Sequence, residues 1–282
     1  MSYIIETALE LACVYSFVAL ALFLSFRILD IADLTTDGCF VLGMCVSIVC
    51  TLNNHPYMGI IVGMVSGGLA GLVTAFLQTK LGVPSILAGI ITNTALYTIN
   101  LMVMGFSSNI SILRNKTIFN DNKLLLLVLI VIVVMILLRY FLSTRLGLSI
   151  RATGDNIEMV SASSINPKAC ILIGLVMSNM LTGLGGALAG QLQKSADINA
   201  GNGIVTIGLA TLIIGETVIN GKKSITRNII ACLIGNIIYR LIYAFILQTH
   251  IIPIECLKLM TALIITLAIA LPYLKDRKKA LC

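Results

Sequence analysis

The sequence predicts an all-α fold: a polytopic transmembrane helical bundle of about eight or nine spans, some of them short or discontinuous, with a helical loop outside the bilayer. Three observations lead there. Hydrophobic residues make up 58% of the chain and charged ones only 11%, at a mean hydropathy of +1.03, beyond the range of soluble globular domains. Long intervals lack Asp, Glu, Lys and Arg altogether, and a helix needs roughly 20 apolar residues to cross a bilayer. One stretch, Arg145 to Lys168, is too polar to lie in hydrocarbon. No segment is long or polar enough for a separate soluble domain, so residues 1–282 read as one transmembrane domain.

The first span runs from about Tyr3 to Phe26 and ends at Arg27. Glu6 and Glu10 stand where a cleavable leader would be basic, so this span is expected to be retained. A polar break, IADLTTDG at 31–38, leads into a short second span ending near Leu52, and a turn at 53–56 precedes a third span from Tyr57. Gly59, Gly63, Gly67 and Gly71 recur every four residues there, leaving a flat strip against which a helix packs backbone to backbone. The fourth span, Ile86 to Met104, contains Asn93 and Asn100, and a polar loop at 106–122 precedes the fifth span at 124–138. The sixth, Ala169 to Gln193, is uncharged and dense in small residues, with a G-x-x-x-G pair at Gly186 and Gly190, and belongs in the interior. ADINAGNG at 196–203 opens the seventh span, Ile204 to Ile219, which carries Glu216 near its end; the eighth reaches about Leu247, and the ninth is Ile254 to Leu274.

The polar loop, about 143–168, reads as two short helices joined by a turn and lying across the membrane surface. Asp155 and Glu158 have capping-box spacing for the second helix, and Asn166-Pro167 ends it. With the C-terminal KDRKK in the cytoplasm, alternation places 13 of the 19 basic residues inside, including Arg27, Lys80 and the whole loop. The loop is therefore expected in the cytoplasm. A re-entrant second span would make eight crossings instead of nine and would move only Arg27. Ala32-Asp33 with Gly43 and Ala196-Asp197 with Gly208 echo one another ahead of the two short spans. In the nine-span arrangement these segments face opposite sides, as inverted repeats do in transporters.

Enzymatic chemistry finds no support: no H-E-x-x-H, no G-x-S-x-G and no paired histidines occur. GETVINGKKS at 215–224 has the wrong spacing for a phosphate loop. The eight cysteines lack metal-ligand spacing and read as small apolar side chains, so neither metal nor cofactor is expected. The net charge of +7 is not arranged as a nucleic-acid patch. Polar groups at membrane depth are the remaining candidates. Asp33, Asp37, Asn93, Asp197 and Glu216 are candidate pathway residues; for the aspartates the competing reading is helix capping, and for Asn93, as for Asn100, Asn179 and Asn236, it is interhelical hydrogen bonding. Glu216 and Arg240 each read either as a pathway or gate residue or as a side chain snorkelling to the interface.

Thr144, Gly147, Ile150-Arg151-Ala152, Gly154, Asn156 and Ile165-Asn166 follow the run T-x-x-G-x-x-I-R-A-x-G-x-N followed by G-I-N. The chain thereby resembles permease subunits of bacterial ABC importers of the branched-chain amino acid and ribose type. ADLTTDGCFVLG and LATLIIGE resemble that family's two polar-break motifs, closest to its amino-acid branch, whereas Ser164 stands where the family usually has glycine. The resemblance implies a permease homodimer in the bacterial cell membrane, above cytoplasmic ATPase subunits and supplied by an extracytoplasmic solute-binding protein. It makes the loop the coupling element, with Arg151, Asp155, Asn156, Glu158 and Ser161 as ATPase contacts. The competing class is an ion-coupled secondary transporter using Asp33, Asp197 and Glu216.

Overall fold

The computed structural model describes residues 2–119, 122–219 and 224–248, with positions 262, 263 and 266. The rest of the expected ninth span and the KDRKK segment lie outside the described residues. Helices α1 (Ser2–Leu22), α3 (Pro56–Thr79), α4 (Ser85–Val103), α5 (Lys123–Ser143), α8 (Pro167–Gln193), α9 (Ile204–Ile219) and α10 (Ile225–Gln248) account for the expected spans. The short apolar α2 (Thr36–Leu52) joins them, and α6 (Arg145–Asp155) and α7 (Ile157–Ala162) form the polar loop. Two features were not predicted: a π-helical turn, Phe23–Ile28, closing α1, and a two-stranded ribbon pairing β1 (Asn109–Ser111) antiparallel with β2 (Ser195–Asp197). Three-residue strands carry no periodic signal in a sequence.

Close packing follows the small residues. The glycine strip of α3 lies in the groove between α2 and α8. A methyl group at Gly59 would stand 2.8 Å from the Ser47 carbonyl oxygen, at Gly67 2.5 Å from that of Asn179, and at Gly71 2.8 Å from that of Leu175. Helix α8 is buried along most of its length, as its small side chains require.

These contacts fix which ends of the helices lie together. Gly154 of α6 packs on the Ile28 carbonyl, and Lys80 shares a cavity with Ile157 and Lys168. Arg27, Lys80 and the polar loop therefore occupy one end of the bundle, the basic end. Glu6, Glu10, Lys123 and Gln193 line a cavity at the other end. The Thr51 carbonyl accepts a hydrogen bond from Asn115 of the 106–122 loop (3.4 Å), so residues 29–52 pass from the basic end to the opposite end. The segment crosses and is not re-entrant.

Two spans are broken at depth. Along α8, Asp33 lies level with Asn179, which is 12 residues from the first residue of that helix, about 18 Å at 1.5 Å per residue. Helix α2 thus starts inside the bilayer and runs to the far end. Helix α9 starts beside Asp37 and runs to the basic end, where Glu216 meets Arg27. The two short helices leave a common depth in opposite directions, consistent with the inverted pairing that the sequence echo suggests.

Gly67→Val is expected to destabilise the protein by more than the ~1–3 kcal/mol typical of overpacking, because backbone lies opposite. Ser66→Ala, one residue away, is expected to unfold near the wild-type temperature. Thermal unfolding in detergent, followed by size-exclusion chromatography, measures both.

Candidate functional site

At the junction, aspartate side chains accept backbone N–H groups at the start of both broken spans. Asp33 is fully buried; its Oδ1 accepts the Thr35 N–H at 2.9 Å and its Oδ2 accepts the Asn179 amide at 2.7 Å. The Thr35 and Thr74 hydroxyls pair at 2.8 Å. Asp33 thereby steadies the start of α2 and ties it to α8, while Thr35 ties it to α3. Asp37 reaches across to another helix, accepting the N–H of Val205 at 2.9 Å and of Gly203 at 3.4 Å. A carboxylate at a helix N-terminus satisfies unpaired donors and complements the helix dipole. Gly203 turns with φ +87, in the left-handed region that favours glycine.

Asn93 of α4 lies against Gly38, next to Asp37, and the Asn100 amide donates to the Gly38 carbonyl at 3.3 Å. The junction thus gathers Asp33, Asp37 and Asn93. Two other expected pathway residues lie elsewhere. Asp197 belongs to the ribbon, where it accepts the Asn199 N–H at 2.7 Å and the Asn109 amide at 3.3 Å. Glu216 is at the basic end, paired with Arg27 of the π-helical turn through Arg27 Nε to Oε1 (2.8 Å) and a second contact from Nη2 to Oε2. It is the one ion pair among the described residues. All three aspartates therefore cap backbone. The sequence reading missed Thr74 as a partner, did not assign Asn179 to Asp33, and did not pair Arg27 with Glu216, because each pairing joins positions far apart in the chain.

The polar loop forms its two expected helices, with a different cap. The side chain that starts α7 is Asn156, whose Oδ1 accepts the Met159 N–H at 3.0 Å; the Asp155–Glu158 capping box does not form because Asp155 still belongs to α6. Nor does Asn166-Pro167 end α7, which stops at Ala162; Asn166 instead caps α8, accepting from Lys168 N at 3.0 Å. Thr144 caps α6, accepting from Gly147 N at 3.3 Å. Gly147, Ile150 and Thr153 face inward, as does Val160 of α7. Asp155, Asn156, Glu158 and Ser161 are exposed, and Arg151 is half-buried. Two exposed apolar side chains, Ile157 and Met159, stand among them; the sequence reading passed over both.

The family of branched-chain amino acid transport system permease components matches over residues 4–269. The chain belongs to this ABC permease family. It is 32% identical over 268 residues to the tyrosine transport system permease protein of Clostridioides difficile (strain R20291), covering 94% of this chain and 90% of that one. It is also 32% identical over 275 residues to an uncharacterized protein of Rickettsia prowazekii (strain Madrid E), covering 95% and 97%. The D-allose transport system permease protein of Escherichia coli (strain K12) is 35% identical over 104 residues, 36% of this chain and 31% of that one. No solved structure matches. The protein is thus an ABC-type permease subunit for small solutes, resident in the cell membrane with multiple spans.

Ser164 stands where the resemblance to the family leads one to expect glycine. Ser164 has φ +60, just past the end of α7, a conformation that costs a residue with a Cβ roughly 1–2 kcal/mol. Ser164→Gly is expected to raise the unfolding temperature of the purified permease without loss of transport. Arg27→Glu and Glu216→Arg, each alone, are expected to impair transport, and the double exchange to restore part of it; uptake assays on the four proteins read the coupling.

Proposed function

We propose that this permease moves a small polar solute, an amino acid, across the cell membrane of a bacterium, driven by ATP hydrolysis on separate cytoplasmic subunits. A solute-binding protein delivers the solute on the other side, and two copies of the chain form the working permease. The tyrosine assigned to the relative in Clostridioides difficile supports an amino acid as the solute.

One observation carries the reading: a continuous line of contacts runs from the polar loop to the junction of the broken spans. Gly154 of α6 rests on the Ile28 carbonyl. The adjoining Arg27 holds Glu216 of α9, and the other end of α9 is held by Asp37 of α2. A push on α6 therefore displaces α9 and loads the capping contacts of Asp37. Asp155, Asn156, Glu158 and Ser161, with Ile157 and Met159, form the surface that receives the push: an apolar pair within a charged and polar rim, the composition of a docking patch. Arg151, half-buried on α6, completes the set of contacts proposed for the ATPase.

The decisive test is uptake in liposomes. The permease alone, under a proton or sodium gradient, is expected not to concentrate solute; with its ATPase, its binding protein and MgATP it is expected to do so. Concentration without ATPase overturns the importer reading in favour of ion coupling. Deletion of 155–164, or Asp155→Lys, is expected to abolish uptake with membrane insertion intact, since the segment lies outside the spans. Wild-type uptake by a well-expressed deletion refutes the role of the loop.

A further inference from the structure

At the end opposite the polar loop, α1 and α10 line an open-sided cavity of about 340 Å³, within the size range of small-molecule sites. Its walls are apolar: Ile4, Ala8 and Leu11 from α1, Ala244 and Leu247 from α10. Arg240 also lines it, nine-tenths buried at 9% exposure. The guanidinium carbon lies over the Tyr15 ring, 3.8 Å from its centre, with the centre of the Tyr243 ring at 6.0 Å. Among the described residues it has no carboxylate partner, and its Nε has no acceptor.

Such a group is poised for one kind of ligand. A buried guanidinium is costly without an anion or water-filled space. The Tyr15 ring meets the charge by a cation–π contact, which satisfies none of the N–H groups; Nε is without an acceptor, and the N–H fork of a guanidinium is what holds a carboxylate bidentately. One positive charge in apolar surroundings balances a monoanion and under-neutralises a phosphate dianion. Arg240 lies eight residues before the end of α10 at Gln248, about 12 Å along the helix, so Ala244 and Leu247 stand between it and that end. The anion therefore sits at the base and the rest of the ligand among apolar walls. Tyr15 packs on Phe40, ring centres 5.6 Å apart, three residues from Asp37 on α2, so the Tyr15 ring links Arg240 to the helix that starts the junction.

We propose that this cavity recognises a carboxylate-bearing solute with an apolar side chain, Arg240 taking the carboxylate. The proposal rests on the reading of the protein as an amino-acid permease and gives that reading a site and a chemical requirement.

The test uses the full permease with its ATPase in lipid nanodiscs, without binding protein, and measures direct binding of L-tyrosine, L-leucine and tyramine. L-Tyrosine or L-leucine is expected to bind and tyramine, which lacks the carboxylate, is not. Arg240→Gln is expected to weaken binding about thirtyfold or more, as loss of a buried charge partner does, and Arg240→Lys to retain part of it. Ala244→Phe, which fills the cavity and leaves the guanidinium in place, is expected to block binding and decides the matter if Arg240→Gln does not fold. Equal binding of tyramine, no binding of either amino acid, or wild-type affinity in a folded Arg240→Gln or Ala244→Phe overturns the site. ATP-driven uptake with an unaltered Arg240→Gln sinks the site and leaves the importer standing; lost binding in Arg240→Gln with uptake independent of ATP does the reverse.

Discussion

Asp37 holds the first turn of α9 from a position on α2, and the arrangement of the broken spans depends on that contact. Inside hydrocarbon no water is available to unpaired backbone groups, so a helix that begins at depth must find partners within the protein. Here α2 is started by Asp33 and α9 by Asp37. Each cap also joins two parts of the bundle: Asp33 reaches Asn179 of α8, and Asp37 ties α2 to α9. The groups that make interruption tolerable are the groups that couple the pieces.

This dual use suits a transport subunit. A continuous helix transmits displacement along its axis but resists opening in the middle, whereas two half-spans joined by side-chain hydrogen bonds can separate there. The far end of α9 is anchored by the ion pair of Glu216 with Arg27, half-exposed and exchangeable with water. The end near the polar loop is thus the softer attachment and the deep end the better ordered one. The glycine strip of α3 has the opposite character: backbone contact along α2 and α8 leaves no slack, and those three helices form the most closely packed part of the bundle.

Much of this was legible in one dimension. Hydropathy set the class and the spans, since each crossing must be apolar over its length. Glycines at spacings of four in α3 announced close packing, because only residues without a side chain permit it. The loop announced itself by polarity and was found as two short helices. The family match supported the motif reading, and the positive φ of Ser164 is a conformation that favours the glycine which the resemblance leads one to expect there.

What the chain alone determined is what local composition and period encode: which segments enter the membrane, which stay out, and which faces accept backbone contact. Only the tertiary structure decided what each polar group does. Asp33, Asp37 and Asp197 look alike in sequence, yet one is sealed against Asn179, one caps a helix about 170 residues away, and one sits in a surface ribbon. Asn156 took the cap that Asp155 was expected to supply, since α6 runs one residue further than its pattern suggested. Glu216 found Arg27, and Arg240 found Tyr15, across separations no periodicity records. A charge in a membrane protein is defined by its partner, and partners are chosen by the packing of helices distant in sequence.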